Sequence, residues 1–185
     1  IIHFPMEEQG GQFSFLFFEF NAGKSITWQQ MQGLVILPVW FMIIGANVGL
    51  YSIYNALKNI NSTTISFEPS SSNLRVLTRN ISINNLENNI KVVPIPLTNK
   101  ENIFQIMREG HFVEGGALNT FGEKFDFQGK EFEPKMKYSL LGTTINNLIE
   151  NKILEVPDYI KIDVDGIEHL ILEGGNKILK NKKIK

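Results

Sequence analysis

The residues of this chain best suited to chemistry are acids and glycines at the ends of apolar runs. In "PDYIKIDVDG", residues 157–166, Asp163 and Asp165 flank Val164, with Gly166 and Glu168 just beyond. The stretch reads as a strand that ends in acids. Alternate residues of a strand share a face, so the two aspartates are expected to point the same way. Carboxylates crowded there can bind a substrate, a metal or the cationic part of a cofactor, or serve as a general base. The competing reading is a helix start, because acids stabilise a helix N-terminus. It applies more to Asp165 and Glu168 than to Asp163. D-V-D-G lacks the further ligand of an EF-hand loop, and no metal site is assigned.

The second group is "IIGANVGLYSIYNALK", residues 43–58, where Gly45, Asn47 and Gly49 follow an apolar run and precede a helix-like pattern. Glycine allows a tight turn and a close backbone approach, and asparagine tolerates left-handed conformations. A helix that starts there offers free N–H groups and a positive dipole end. A tight turn without a ligand would also hold glycine. Glu68 ends the next strand candidate, about twenty residues on, where nucleotide-binding βαβ units hold a ribose diol. Alone, Glu68 reads equally as a solvated acid before Pro69.

Other candidates are weaker. "NAGKS", residues 21–25, lacks the earlier glycine of a P-loop, because position 18 is Phe18. His3, His111 and His169 are scattered, and surface or packing roles are expected for them. The sequons at Asn61 and Asn80 read as coincidence in an asparagine-rich chain.

The elements that must position these residues follow from periodicity. An apolar run ending at Ile44 reads as a buried strand, and Val48, Leu50, Tyr51, Tyr54 and Leu57 as the apolar stripe of a helix. "TTISFEPS" (63–70) reads as a strand, and the segment after Pro69 as a helix capped by Ser70 or Ser71. "IKVVPIPL" (90–97) is a third strand, closed by prolines. Residues 99–140 read as loop or hairpin. A threonine-capped helix at 143–152 precedes the strand at 157–166, and Gly174-Gly175 separates two helices after it. Alternating strands and helices imply a parallel sheet with right-handed crossovers, whose ligands bind at the strands' carboxyl ends.

Length and composition agree. A chain of 185 residues suits one domain, and 43% hydrophobic with 20% charged residues is ordinary for a globular protein. A net charge of −1 gives no electrostatic case for nucleic acid as a partner. Arginine, the residue of bidentate phosphate clamps, occurs only at 75, 79 and 108. There is no cysteine, which excludes disulfides and cysteine nucleophiles and fits a cytoplasmic setting. "LVILPVWFMIIGA" (34–46) is too short for a membrane span, and Pro38 interrupts it, so a buried strand is expected.

"IGANVGLYS", "FEPSSSNLRVLTRNISINN", "PLTNKENIF", "TTINNLIENK" and "PDYIKIDVDGIEHLILEG" occur in that order. Together they resemble the FkbM family of S-adenosylmethionine-dependent methyltransferases, over roughly residues 40–181. The resemblance implies a class I, Rossmann-like three-layer α/β sandwich with a mostly parallel sheet. It implies methyl transfer from S-adenosylmethionine, usually to a hydroxyl oxygen of a sugar, glycan or secondary metabolite. Gly45, Asn47 and Gly49 would then pass around the methionine part of the cofactor. Glu68 would hold the ribose hydroxyls, and Leu97 and Thr98 would lie near the adenine. Asp163 would stand at the methyl-transfer end, with Asp165 and Glu168 beside it.

The sequence departs from the family pattern in two places. Ile43 stands where the family has an acid that helps hold the cofactor's amino-acid portion. The C-terminal strands of a complete class I sheet are expected to be lacking. Residues 1–39 form an unassigned segment that could pack strands on the sheet. Residues 40–185 form the FkbM-like domain, with 99–140 as an insertion shaping the acceptor pocket. The alternative is a non-catalytic or degenerate cofactor-binding domain of a larger glycan-modifying protein. A dinucleotide oxidoreductase is a third reading, disfavoured because G-x-G-x-x-G spacing is absent.

Overall fold

Prolines, glycines and hydroxyl caps divide the chain at the expected places. A computed structural model describes residues 39–126, 128–131 and 133–185. The aromatic stretch 11–20, "NAGKS", His3 and the N-terminal segment up to residue 38 lie outside the described residues.

The parallel strands are β1 (Trp40–Ile44), β2 (Thr63–Phe67), β3 (Ile90–Val93) and β7 (Tyr159–Ile162). The helices are α1 (Leu50–Lys58), α2 (Ser71–Ile83), α3 (Ile145–Glu150) and α4 (Glu168–Gly174). Ser70 caps α2 and Thr144 caps α3, each accepting a backbone N–H three residues on. β3 stops before Pro94, because proline has no N–H for the ladder. α4 stops at the glycine pair, and a turn of 3-10 helix, Ile178–Lys180, follows.

The sheet order is β3-β2-β1-β7, with every pair parallel. The chain therefore builds outward from β1 in one direction and returns to its other side with β7. The carboxyl ends of β1 and β7 flank this topological switch point, the place where open α/β sheets bind ligands. At the outer edge of β7, Lys185 donates its N–H to the Asp158 carbonyl (2.8 Å) and accepts from the Ile160 N–H (3.3 Å).

Alternation along β1 splits the core into two layers. Ile43 enters an apolar cluster with Ile53 and Ala56 of α1 and Leu77 and Ile81 of α2. Met42 and Ile44 face the other way, towards Ile145 and Leu148 of α3 and Ile171 of α4. The second layer is completed by an antiparallel sheet of order β5-β4-β6: β4 (Ile103–Glu109), β5 (Asn119–Phe121) and β6 (Met136–Gly142). These strands occupy the region whose glycines and aromatics read as loop or hairpin. Met107 and Phe121 carry its inner face into the core.

The apolar stripe read for α1 is shifted in the fold. The buried face is Ser52, Ile53, Asn55 and Ala56, while Leu57 is exposed. The reason is polar pairing beneath the helix: Ser66 Oγ donates to Ser52 Oγ (2.7 Å), and Asn55 Nδ2 donates to Thr64 Oγ1 (2.8 Å). A hydrophobicity pattern cannot register a face whose fit depends on hydrogen bonds.

Gly45 is required by its surroundings. Its φ is 82°, and a Cβ there would lie 2.0 Å from the Asp163 carbonyl oxygen. The β1–α1 turn and the loop after β7 are thus in backbone contact. We expect Gly45→Ala to lower unfolding free energy by at least ~2 kcal/mol, from backbone strain and overlap together. Urea unfolding followed by circular dichroism measures it, and a loss below half that value would contradict the packing described.

Candidate active site

Where the carboxyl ends of β1, β2 and β7 meet the antiparallel sheet, a cleft opens to solvent. Gly45, Asn47, Glu68, Leu97, Asp163 and Asp165 line it. Six of the residues singled out from sequence therefore converge. Gly49 and Thr98 lie off the cleft. Gly49 is the N-cap of α1 at φ 93°, where a Cβ would press on Leu77. Thr98 is buried, pairs its N–H with the Thr143 carbonyl (2.9 Å) and lies against Gly174 of α4.

Glu68 is 5% exposed, so it is not a solvated acid. Its Oε2 accepts the Asn47 N–H at 2.7 Å and its Oε1 the Ser70 N–H at 2.9 Å. One carboxylate thereby joins the glycine turn to the start of α2. Burial pushes its pKa up to about 7 against those hydrogen bonds, and the Glu109 carboxylate adds to the rise.

The glycine turn spends its donors internally. The N–H groups of Gly45 and Ala46 both meet the Phe67 carbonyl, at 3.0 and 2.9 Å. That of Asn47 goes to Glu68, that of Val48 to Asn47 Oδ1 (2.7 Å) and that of Gly49 to the Ala46 carbonyl (2.9 Å). A phosphate-binding turn aims such groups at its ligand; here residues 45 to 49 have theirs committed.

The two aspartates follow β7 rather than belong to it, since the strand stops at Ile162. The alternation expected for them does not apply, and each finds its own partner. Asp163 is exposed and pairs with Lys161 Nζ at 2.5 Å. That ammonium also sits 4.1 Å from the Tyr51 ring centre. Asp165 accepts the Asn119 N–H at 2.9 Å. Burial raises its pKa, and the nearby Asp163 charge adds to this against the hydrogen bonds it accepts. Glu168 begins α4. His111 and His169 are exposed.

Sequence reasoning missed Asn73, Asn119, Glu109 and Tyr138. Asn73 lies on α2, lines the cleft and is fully buried. Its Oδ1 accepts the Gly115 N–H (2.8 Å) and its Nδ2 donates to the Gly116 carbonyl (3.1 Å). Asn47 and Asn119 donate to that same carbonyl at 3.3 and 3.4 Å. Three asparagines thus pin the 115–116 turn beside the cleft, while Asn119 Oδ1 is buried without a partner. No local signal marks Asn73 or Asn119. The alternation in "IFQIMRE" could have placed Glu109 on an inner face beside Met107.

The match to the Methyltransferase FkbM domain covers residues 44–185, most of the chain. The chain belongs to the FkbM methyltransferase family. Methyl transfer is the general chemistry of that family. No curated protein matches the chain. A solved "putative transferase" from Pyrococcus horikoshii is similar at 20% identity, over 40% of this chain and 29% of its own, with a TM-score of 0.33. Among the described residues of the FkbM domain, no helix is long and apolar enough to cross a membrane, and no group of histidines and acids could hold a metal ion.

The burial of Glu68 sets a pH dependence. The folded chain keeps a proton on Glu68 between its ordinary 4.5 and about 7, where the unfolded chain has lost it. The stability from this group is present at low pH and falls as pH rises through that window. Relative to Glu68→Gln, the wild-type protein should lose roughly 2 to 3 kcal/mol between pH 4.5 and 7.5. Urea unfolding across that range reads the difference, and parallel pH profiles would rule the effect out.

Proposed function

We propose that the chain transfers a methyl group from S-adenosylmethionine to a hydroxyl oxygen of a small-molecule or glycan acceptor. The observation that carries this reading is the pairing of a phosphate-indifferent glycine turn with a buried acid. Dinucleotides bring a pyrophosphate, for which the N–H groups of residues 45 to 49 have nothing left. S-adenosylmethionine brings a ribose diol and no phosphate. Glu68 accepts from Asn47, Ser70 and Asn73, which leaves it a lone pair for a ribose hydroxyl. Phe67, Ile95 and Leu97 give the same cleft an apolar wall for the adenine. Gly45, Asn47, Asp163 and Asp165 remain for the amino-acid and methyl-transfer end, with Gly49 holding the turn. Thr98 supports Leu97 from behind.

A sulfonium cofactor supplies an already activated methyl group. The protein's part is alignment of the acceptor hydroxyl and removal of its proton. Of the two aspartates, Asp165 is the better base: burial raises its proton affinity, and Asn119 fixes its position. Asp163, engaged by Lys161, orients charge at the same end. A cytoplasmic setting belongs to this reading.

Ile43 favours a second reading, a cofactor-binding domain without turnover. It is 3% exposed among apolar side chains, opposite Lys161 across β1 and β7, and supplies no acid. Calorimetric titration with S-adenosylmethionine separates the readings from a domain that has lost the cofactor altogether. We expect heat of binding, and Glu68→Ala to weaken it at least ~10-fold through loss of the diol acceptor. With an acceptor in hand, Asp165→Asn should lower kcat ~100-fold or more while leaving cofactor affinity within a few-fold. No heat at high protein concentration would defeat the cofactor assignment. Binding without turnover on any hydroxyl acceptor would favour the second reading.

A further inference from the structure

We propose that Glu109, on β4, is a positioning residue for Glu68: it anchors the start of α2 through two hydroxyls and its charge opposes ionisation of the carboxylate beside it. The ligand consequence rests on the S-adenosylmethionine reading above; the coupling itself does not.

Glu109 ends the inner face of β4, following Ile103, Gln105 and Met107 at alternate positions, and is fully buried. A buried carboxylate needs donors. Tyr138 Oη on β6 donates to Oε1, and Ser72 Oγ donates to Oε2 at 3.0 Å. Both donors lead back to Glu68. Ser72 Oγ is 2.9 Å from Ser70 Oγ, and the Ser70 N–H meets Glu68 Oε1. The Ser71 N–H donates to Tyr138 Oη at 3.1 Å. Ser70, Ser71 and Ser72, the cap and first residues of α2, are therefore held between two buried carboxylates.

Among the described residues, the charge felt at Glu68 from a packed element is that of Glu109, linked to it through Ser72 and Ser70. Asn47, Ser70 and Asn73 present neutral donors. Tyr138 faces Glu109; burial, and then the hydrogen bond it donates to that carboxylate, push the phenol up to about 12. Asp163 and Asp165 line the same cleft. Arg75 of α2 is turned to Glu114 at 3.1 Å and serves neither acid. A carboxylate is the expensive way to fill this space, since a neutral side chain would pack at lower desolvation cost. What it adds is charge, felt at Glu68 across a low-dielectric gap.

Glu109→Gln tests the charge while keeping the shape. A glutamine amide can still accept from Tyr138 and, with Ser72 reversed, hydrogen-bond to both hydroxyls. In ligand-free protein, carbon-13 NMR of labelled glutamate carboxyls, assigned with Glu68→Gln, reads the Glu68 titration. We expect E109Q to lower its midpoint by roughly half to one pH unit. An unmoved or raised midpoint overturns the proposal. Should E109Q fail to fold, the wild-type curve decides. A Glu68 midpoint well above the ordinary carboxylate range supports the proposal, and one within that range overturns it.

The ligand arm measures S-adenosylmethionine affinity from pH 5.5 to 8. E109Q should bind ~3- to 10-fold tighter than wild type near pH 6 and within about twofold at pH 8, since Glu68 is ionised in both by then. A merely structural role would shift affinity equally at both pH values, and that result overturns the proposal. Absence of binding at every pH defeats the cofactor reading instead, and the ligand-free titration still decides the coupling.

Discussion

Two backbone N–H groups share one buried carboxylate, and the candidate site is organised around that tie. Glu68 receives the Asn47 N–H from the β1–α1 turn and the Ser70 N–H from the start of α2. Bonds to a charged acceptor contribute about twice what neutral ones do, and both are set against desolvation of the charge. The balance is close enough to leave the group titrating near neutrality. With Asn47 drawn to Glu68, and Gly45 and Ala46 to the Phe67 carbonyl, the turn presents a saturated backbone. The same bonds that fix the turn decide which ligands it can serve.

The remainder of the cleft depends on the antiparallel sheet. Its inner face supplies Met107 and Phe121 to the apolar floor and Glu109 and Tyr138 to the polar network behind α2. The 115–116 turn between β4 and β5 is then clamped by asparagines from three separate elements or their flanking turns. Asn119 works twice, pinning the Gly116 carbonyl with its side chain and Asp165 with its backbone. The sheet links the Glu68 end of the cleft to Asp165.

Ile43 shows how strand geometry limits a substitution. On β1, odd and even positions face different layers, so residue 43 joins the cluster under α1 and α2 while residue 44 borders the cleft. An apolar residue is at home there, and the fold gains from it. Lys161, its neighbour across the parallel pair, turns to Asp163 and the Tyr51 ring. Stability and the family's acidic position are separate demands on one side chain, and this chain has met the first.

The sequence by itself determined the parallel strands, the helix starts at Ser70 or Ser71 and at a threonine near 143, and the glycine turn. Those features follow from periodicity, proline, capping and turn chemistry, which act within a few residues. Tertiary structure decided the rest. It set Gly49 and Thr98 off the cleft, separated the partners of Asp163 and Asp165, and made an antiparallel sheet of a region that read as loop or hairpin. It also brought in Asn73, Asn119, Glu109 and Tyr138. Their bonds join positions far apart in the chain, such as Ser71 with Tyr138 and Asn119 with Asp165. A buried polar group is defined by the partner that satisfies it, and that partner is known only once distant strands have come together.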